Sequence, residues 1–289
     1  MQSWWLVVFS LSGCGYAVGQ QERPSSSPAV PPEQTRPEAE ASAPIAEVQA
    51  KRLTVASYNV LYALAEDEGS VDAETLARAT SLDADVLLLQ ETNAVWEGAL
   101  RPLLEKRFAF CTFHHPKRLL PEGLAICAKG TLVEDQLLPS PIGWFPAQHA
   151  VVKTLVGDVQ LLNLHLKPAV ANPPEWVATH LKTRGDRARE TRELMQGLRP
   201  DLPTIIGGDM NEQPEAELFT ELATAGFENA LLEGRVRDTT WTWAGAQPAL
   251  DFQLDHLAYS SARLELESAT VMPGGRSDHK AVVATFALQ

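Results

Sequence analysis

Acids, amides and imidazoles lie at or beside the ends of six short apolar segments of this chain, and no other sequence feature constrains the fold as strongly. The segment LTVASYN ends at Asn59, and DVLLLQE ends at Glu91. Carboxylates are rarely buried unless they are paired or bind a metal ion. One such residue alone fits a solvated strand end, but six such segments predict a shared site. The other four segments carry, in chain order, Asn163 with His165, Asp209 with Asn211, Asp255, and Asp278 with His279.

The apolar segments predict a sheet-rich fold. Hairpins mixed among single helices favour two mixed or antiparallel sheets packed together with helices outside, because the strict β-α alternation of a parallel fold is absent. Helical spacing predicts helices at 70–79, 97–106, 175–198 and 215–225. Apolar and β-branched runs predict strands at 53–61, 85–90, 108–113, 123–128, 151–156, 159–166, 204–207, 240–243, 254–259 and 281–287.

Composition and motifs exclude several classes of protein. The 24 basic and 37 acidic residues give a net charge of −13, which argues against a protein that coats polyanions. The charge does not argue against a metal-filled cleft, because a bound cation dominates its own site. No apolar run reaches the roughly 18 to 20 residues of a membrane-spanning helix. Glycine motifs for dinucleotides, P-loop nucleotides and a serine-hydrolase elbow are also absent from the sequence.

The first fifty residues differ in composition from the rest. The apolar run 4–11 is typical of a secretory signal, and it leads into Leu11-Ser12-Gly13-Cys14, which resembles the bacterial lipobox. This predicts a signal segment at 1–14 with lipidation at Cys14. Residues 15–50 are rich in Pro, Ser, Ala and Glu and predict a disordered tether. The predicted protein is exported and membrane-anchored as a bacterial lipoprotein; a secreted protein and a chain that is not exported are the alternatives.

Six motifs of the remaining chain occur in a characteristic order, namely SYN, LLQE, NLHL, GGDMN, LDH and SDH. Together they resemble the endonuclease/exonuclease/phosphatase superfamily, which is DNase-I-like, over residues 53–288. The resemblance implies one α/β domain at 51–289, built as a four-layer sandwich of two packed mixed β-sheets flanked by helices. It also implies a divalent-metal phosphoesterase site at one edge of the two sheets.

The resemblance also implies a metal-binding group. Glu91 resembles the principal Mg²⁺ ligand, and a carboxylate oxygen suits this hard ion, with Mn²⁺ as the alternative. Asn59 lies where the family has an amide beside the metal, and Asp278 resembles a further metal-proximal acid. These three residues are the predicted metal site.

A second group is implied to do the chemistry. Asp209 and Asn211 resemble the pair that orients the attacking water and contacts the phosphate, with Gly207 and Gly208 allowing a close backbone approach. The others are His279, implied to contact the scissile phosphate, Asp255, implied to fix its tautomer, and His165, implied to lie near the leaving group. As a general acid, His165 would contribute roughly 10² to 10⁴ in rate.

Residues around these groups leave alternatives open. Arg184 and Lys167 are candidates to bind the substrate phosphate, and a solvated, salt-bridged helix face explains their cluster equally. His256 is predicted to be structural, because strand alternation turns it away from Asp255. His114 and His115 are predicted to lie in a solvated loop. Two further sets stay open: Trp144, Trp176, Trp241 and Trp243 as base-stacking or core residues, and Cys111 with Cys127 as a disulfide or as reduced core cysteines.

The function that follows is a divalent-metal-dependent phosphoesterase that hydrolyses phosphodiesters by attack of water. A nuclease is the first choice, because His165 is DNase-like. Cleavage of phospholipid, sphingomyelin or inositol phosphates is the alternative, since fold does not fix substrate. A rival of another class is a catalytically inactive, anchored binding module. The predicted partners are a phosphodiester substrate and a membrane, and the chain is expected to be a monomer.

Overall fold

The computed structural model describes residues 51–65, 70–116, 121–172, 175–246 and 248–289. The predicted signal segment with Cys14 and the predicted tether at 15–50 lie outside the described residues and stay predictions. Within the described part of the chain, no helix is both long and apolar enough to cross a membrane.

The described residues form fourteen strands, six α-helices and one 3₁₀ turn at Tyr62–Leu64. The helices are α1 (Ala73–Ser81), α2 (Ala94–Leu104), α3 (Trp176–Lys182), α4 (Arg184–Met195), α5 (Glu217–Thr224) and α6 (Ala230–Glu233). The strands are β1 (Arg52–Asn59), β2 (Val86–Thr92), β3 (Phe110–His114), β4 (Gly123–Ala128), β5 (Thr131–Leu138), β6 (Ala147–Thr154), β7 (Gly157–His165), β8 (Thr204–Asp209), β9 (Phe227–Asn229), β10 (Trp241–Trp243), β11 (Leu250–Phe252), β12 (Asp255–Ser260), β13 (Leu264–Met272) and β14 (Ala281–Leu288).

Two six-stranded mixed sheets carry the fold. The first sheet has the strand order β13-β14-β1-β2-β4-β3, and the second has the order β5-β6-β7-β8-β12-β9. Each contains one parallel pair near its centre, β1 with β2 in the first sheet and β7 with β8 in the second. Every other pairing in the two sheets is antiparallel. The small ribbon of β10 and β11 stands apart from both.

The sheets pack face to face, and helices cover their outer faces, which gives the predicted four layers. Leu88 of the first sheet and Leu161 of the second lie in the apolar core between them. Alternation along β2 turns Leu87 outward into a second core, where it meets Trp96 of α2. Leu164 turns outward from the second sheet into a third core that includes residues of α4 and α5. β2 is therefore covered on both faces, as its unbroken apolar run predicts.

The sequence misplaced or missed some elements. The helix predicted at 175–198 is two helices, because the chain breaks at Thr183, whose hydroxyl bonds the carbonyls of Thr179 and His180. The edge strands β5 and β13 were not predicted. β5 has no regular apolar alternation, whereas β13 alternates Leu and Glu at 264–267 and its signal was missed.

The two core cysteines form a disulfide. Cys111 of the edge strand β3 lies directly opposite Cys127 of β4 in the strand register, and the two are bonded. Both side chains are buried. Of the two readings that the sequence leaves open, the structure has the disulfide.

A buried ion pair fixes α3 and α4 against the end of β8. Arg187 donates from Nε and Nη2 to Oε2 of Glu212, at 3.0 and 2.7 Å, and both side chains are fully buried. His180 donates from Nε2 to Oε1 of Glu212 at 3.1 Å. Burial acts to raise the pKa of Glu212, but the hydrogen bond from His180 and the charge of Arg187 outweigh it and lower that pKa overall.

We expect Glu212→Gln to destabilise the fold by about 3–5 kcal/mol at neutral pH, because it leaves Arg187 buried without its counter-charge. The lowered pKa of Glu212 means that its contribution is present above pH 4.5, the ordinary value, and is lost as the pH falls through the folded-state value. Urea unfolding of both proteins at pH 7 and at acid pH checks this. The gap in free energy of unfolding should narrow in acid, and a gap that is small at pH 7 or that widens in acid would contradict the assignment. The matched control Asp158→Asn, in the exposed turn that opens β7, should unfold like the wild type.

Candidate active site

The two parallel strand pairs bring the polar strand ends together at one edge of the sandwich. β1 and β2 end at Asn59 and beside Glu91, while β7 and β8 end at His165 and Asp209. Residue 255 of the antiparallel β12 is paired in register with Asp209. The sequence motifs that lie up to 220 residues apart thus converge on a single cluster of side chains.

The amide of Asn59 is the centre of this cluster. Its Nδ2 lies 3.0 Å from Glu91 Oε1, 3.0 Å from Asp209 Oδ2 and 3.5 Å from His279 Nε2. Its Oδ1 accepts from the backbone N–H of Leu61 at 3.0 Å, so both ends of the amide fix which atom faces the carboxylates. Asn59 therefore holds the ligand carboxylates with its NH₂ group, and its carbonyl, the atom that would bind a metal, faces away from them.

Strained backbone marks the site. Three of the four non-glycine residues with positive φ among the described residues lie here, namely Leu61 at 58°, Glu91 at 56° and Asn211 at 49°. Glu91 is also the extra residue where the register of β2 against β4 shifts between Gln90 and Thr92. The bulge places the Glu91 carboxylate at the sheet edge. Such strain persists only where the surrounding structure fixes it, and it concentrates at functional sites.

His279 and Asp255 form a buried pair. Nδ1 of His279 lies 2.9 and 3.1 Å from the two carboxylate oxygens of Asp255, which leaves Nε2 turned toward Asp209, 3.5 Å away. Burial acts to lower the pKa of His279, but the charges of Asp255 and Asp209 raise it well above its ordinary value. The raised pKa favours the protonated ring, in which Asp255 accepts one N–H and the other is directed into the site.

His165 is in the opposite state. Its Nδ1 donates to the carbonyl of Pro121 at 3.1 Å, and its Nε2 lies 3.6 Å from Asp209 and 3.8 Å from Glu91. Burial, and after it the charge of His279, lower the pKa of His165 to about 3. The neutral ring presents a lone pair on Nε2, and the ring of Phe145 packs against it at 4.5 Å. The predicted role as a proton donor stays a prediction, and in this state the atom facing the site is an acceptor.

Asp278 and Asn211 complete the rim. Trp241 donates from its indole Nε1 to Asp278 Oδ2 at 2.9 Å, while Oδ1 of Asp278 has no hydrogen-bond partner in the described part of the chain. Asn211 donates from Nδ2 to the carbonyl of Leu166 and from its backbone to Asp209 Oδ1. Both side chains thus have one polar group tied to the protein.

The glycines of the GGDMN motif serve packing between the layers. A Cβ on Gly208, where φ is 139°, would stand 1.9 Å from the carbonyl oxygen of Leu164. A Cβ on Gly207 would press on Leu257 and on Leu88 of the facing sheet. These glycines therefore make room for a neighbouring strand and for the facing sheet, and the predicted close approach of the backbone to the phosphate stays a prediction.

The cluster opens to solvent through a cleft of about 200 Å³. Asn59 and Asp255 lie beneath it, whereas the other predicted catalytic and metal-binding residues reach its surface. The cleft is lined by Leu61, Tyr62, Glu91, Pro121, Phe145, His165, Pro168, Trp176, Asp209, Asn211, Trp241, Asp278 and His279.

The two predicted substrate-binding cations lie outside this lining. Arg184 places Nε 3.3 Å from the buried Glu212, and Lys167 bonds Asp186 at 2.6 Å while its ammonium lies over the ring of Trp144. Both are engaged with the protein itself. Their role toward a phosphate stays a prediction.

Three histidines that were predicted to lie outside the site make hydrogen bonds within the protein. His256 is fully buried, donates from Nε2 to backbone carbonyls and accepts from the amide of Asn229 on its other nitrogen. It points away from the cleft, as strand alternation predicts. The solvated loop predicted for His114 and His115 is wrong: His114 closes β3 and bonds Asp135 at 2.7 Å, and His115 bonds Glu97.

Several residues that position the site could not be identified from the sequence, because their hydrogen bonds form only in the folded structure. The hydroxyl of Thr240 accepts from the backbone N–H groups of residues 254 and 255 and so orients the start of β12. The hydroxyl of Ser277 donates to the backbone carbonyl of residue 59 and accepts from the backbone N–H of residue 279. For Trp241, the sequence predicted a strand and left a base-stacking or core role open, and its bond to Asp278 depends on tertiary structure.

Comparison with known proteins decides the family. The model of the Endonuclease/Exonuclease/phosphatase family matches residues 56–279, which includes every motif of the site. The chain belongs to this family. Its members are phosphoesterases that depend on divalent metal ions. No curated protein sequence matches the chain.

Solved structures show the same fold. An endonuclease/exonuclease/phosphatase from Beutenbergia cavernae DSM 12333 superposes with a TM-score of 0.63 at 19% identity, over 82% of this chain and 72% of that one. Truncated Caenorhabditis elegans TDP2 gives 0.57 at 19%, over 82% and 97% of the two chains. The human nocturnin catalytic domain with bound sulfate gives 0.57 at 20%, over 82% and 95%. At these identities the likeness concerns the fold.

The donor set fits the divalent metal ion of the family. Burial raises the pKa of both Glu91 and Asp209, because two carboxylates share a desolvated space. Oxygens of these two carboxylates and a nitrogen of His165 lie within 4.8 Å of one another. Hard carboxylate oxygens suit Mg²⁺ or Mn²⁺, and such an ion would offset the repulsion between them.

We expect saturating Mn²⁺ or Mg²⁺ to raise the melting temperature of the wild type by roughly 5 °C or more, because a ligand that binds only the folded state stabilises it. Glu91→Gln should remove most of this rise, since it deletes a ligand charge. Thermal unfolding with and without EDTA measures the effect, and Asp158→Asn should keep the full rise. If the ion raised the melting temperature of Glu91→Gln as much as that of Asp158→Asn, the ion would bind elsewhere.

Proposed function

We propose that this protein is a divalent-metal-dependent phosphodiesterase that hydrolyses its substrate by in-line attack of water, with nucleic acid as its first candidate substrate. The observation that supports this most is that two buried carboxylates share one cleft with two imidazoles, one ring held by the Asp255 carboxylate and the other by the backbone carbonyl of Pro121. Phosphate-ester hydrolysis needs both a proton acceptor for water and donors for the phosphoryl oxygens.

Glu91 and Asp209 would hold the metal ion, and Asp278, whose Oδ1 makes no hydrogen bond within the described residues, lines the same cleft. The preferred ion is Mg²⁺, with Mn²⁺ as the alternative. When bound, it would stabilise negative charge on the phosphoryl oxygens and favour ionisation of water. Asn59 would keep the two carboxylates in place from below.

His279 would donate its Nε2–H to a phosphoryl oxygen. Its proton is secured by Asp255, which also prevents the ring from turning. Asp209 and Asn211 would orient the attacking water, because both reach the cleft and are linked by the backbone N–H of Asn211.

His165 would accept a hydrogen bond at rest. It would act as a proton donor only after its Nε2 has taken up a proton from solvent or from the attacking water, once the substrate places negative charge beside the ring. A phosphate next to Nε2 favours the protonated ring, against the burial that disfavours it. A DNase-like histidine at this position is the reason to place nucleic acid first.

Lipid phosphodiesters are the second candidate. Val170 is 71% exposed and Trp144 is 39% exposed, so apolar side chains flank the cleft. The predicted lipid anchor would also hold the enzyme near a membrane. An inactive binding module is disfavoured, because Glu91, Asp209 and both imidazoles reach the same cleft.

We expect Glu91→Gln and His279→Ala each to lower kcat/KM by roughly a hundredfold or more, since each removes a group that acts on the transition state. The assay uses the purified protein with Mg²⁺ or Mn²⁺ on plasmid DNA, single-stranded DNA, sphingomyelin and inositol phosphates in parallel. EDTA should abolish turnover, and Asp158→Asn should react like the wild type.

Near-normal turnover in both site variants would overturn the site assignment. Absence of turnover on all four substrates, in protein that binds Mn²⁺, would favour the binding module.

We also propose that the chain is exported and held as a lipoprotein through Cys14, and that it acts as a monomer. Cys14→Ser should move the protein from the membrane fraction to the soluble fraction, because the acyl chains on that one residue would form the anchor. Ser25→Ala in the predicted tether is the control and should stay with the membrane. Unchanged fractionation of Cys14→Ser would reject lipidation at this residue.

A further inference from the structure

A second, larger groove adjoins the catalytic cleft. Its volume is about 480 Å³, against about 200 Å³ for the cleft. Trp176 and Trp241 stack on each other with ring centroids 5.0 Å apart, and Trp243 meets Trp241 edge-on. The segment 169–172 forms the facing wall, with Val170 exposed at the rim.

The groove and the cleft are one continuous surface. Trp176, Trp241 and Asp278 line both of them. The indole of Trp241 holds Asp278 by the hydrogen bond described above, so the aromatic wall begins at the carboxylate beside the reacting groups. A substituent on the scissile phosphate would therefore reach the groove directly.

The groove has little charge. Asn172 and Asp278 supply the polar side chains of its lining, and no lining residue in the described part of the chain is basic. The nearest cations named above, Lys167 and Arg184, are paired with Asp186 and Glu212. Duplex DNA is held mainly by cations that neutralise successive phosphates, and this surface lacks them.

We propose that this groove is the subsite for an unpaired nucleobase of the substrate, next to the scissile phosphate, with Trp243 as a residue that determines specificity. The proposal rests on the proposed phosphodiesterase function and narrows its substrate to single-stranded or terminal nucleotides. A base is flat and uncharged and stacks on indole rings without needing a cation. A base in a duplex would have to leave its partner first, which disfavours duplex substrates.

Trp243 is the residue to change, because it is half-buried, whereas Trp176 and Trp241 are buried in the aromatic stack and support the fold. Trp243→Ala removes the groove wall, and Trp243→Phe keeps an aromatic ring there. The matched control is Trp144→Ala, which removes an exposed tryptophan that does not line the groove.

Binding is measured first, apart from turnover. The probe is a thymidine dinucleotide with an uncharged methylphosphonate linkage, compared with the same compound lacking both bases. By calorimetry or NMR titration, the wild type should prefer the base-bearing probe by roughly tenfold or more. Trp243→Ala should remove the preference, while Trp243→Phe and Trp144→Ala should keep most of it.

Turnover is measured second, with Mg²⁺, on a single-stranded thymidine tetramer, its abasic counterpart and a duplex containing the same tetramer. The wild type should favour the first by roughly tenfold in kcat/KM, and Trp243→Ala should lower that ratio, whereas Trp144→Ala should leave the ratio unchanged. If no diester is hydrolysed, the proposed function fails, and the binding titration still tests the groove.

Three results would overturn the subsite. One is equal binding of the base-bearing and base-free probes by the wild type. Another is an unchanged preference in folded Trp243→Ala. The last is tighter binding of an uncharged diester with a saturated twelve-carbon chain than of the dinucleotide, which would assign the groove to a lipid.

Discussion

One amide makes the buried charge at the edge of this sandwich tolerable. Asn59 donates to Glu91 of its own sheet and to Asp209 of the facing sheet, so a single side chain ties both layers where two carboxylates would otherwise repel. Behind it, Gln90 donates to Asn163 at 2.7 Å and extends the polar link between the sheets. The carboxylates that suit a cation are also the side chains whose burial is least favourable in free energy. The apolar packing of the surrounding layers offsets that unfavourable free energy.

Much of the fold could be predicted from the chain, because buried strands leave a strong pattern. β2 reads as an unbroken apolar run, and its burial on both faces follows from that alone. The break between α3 and α4 could not be predicted, since it depends on the Thr183 hydroxyl bonding the preceding turn. The edge strand β13 was missed although its Leu-Glu alternation at 264–267 is a strand signal, with the leucines packed on the core and the glutamates exposed.

The sequence predicted which residues form the candidate site but not the direction in which the pKa of each histidine is shifted. Motif order brought His165 and His279 to the same place, yet the pKa of the first is lowered and that of the second is raised. That difference arises because the carboxylates of Asp255 and Asp209 raise the pKa of His279, whereas burial and the charge of His279 lower the pKa of His165. The bulge that places Glu91 at the sheet edge is likewise a property of strand register, which a linear motif does not encode.

The disulfide between Cys111 and Cys127 joins the outermost strand of one sheet to its neighbour. An edge strand of five residues has few hydrogen bonds to hold it, and when it peels away the next strand offers its backbone to other chains. The covalent link closes that route to association. Protein made where thiols stay reduced would therefore differ from oxidised protein in its tendency to aggregate, although its catalytic residues are unchanged.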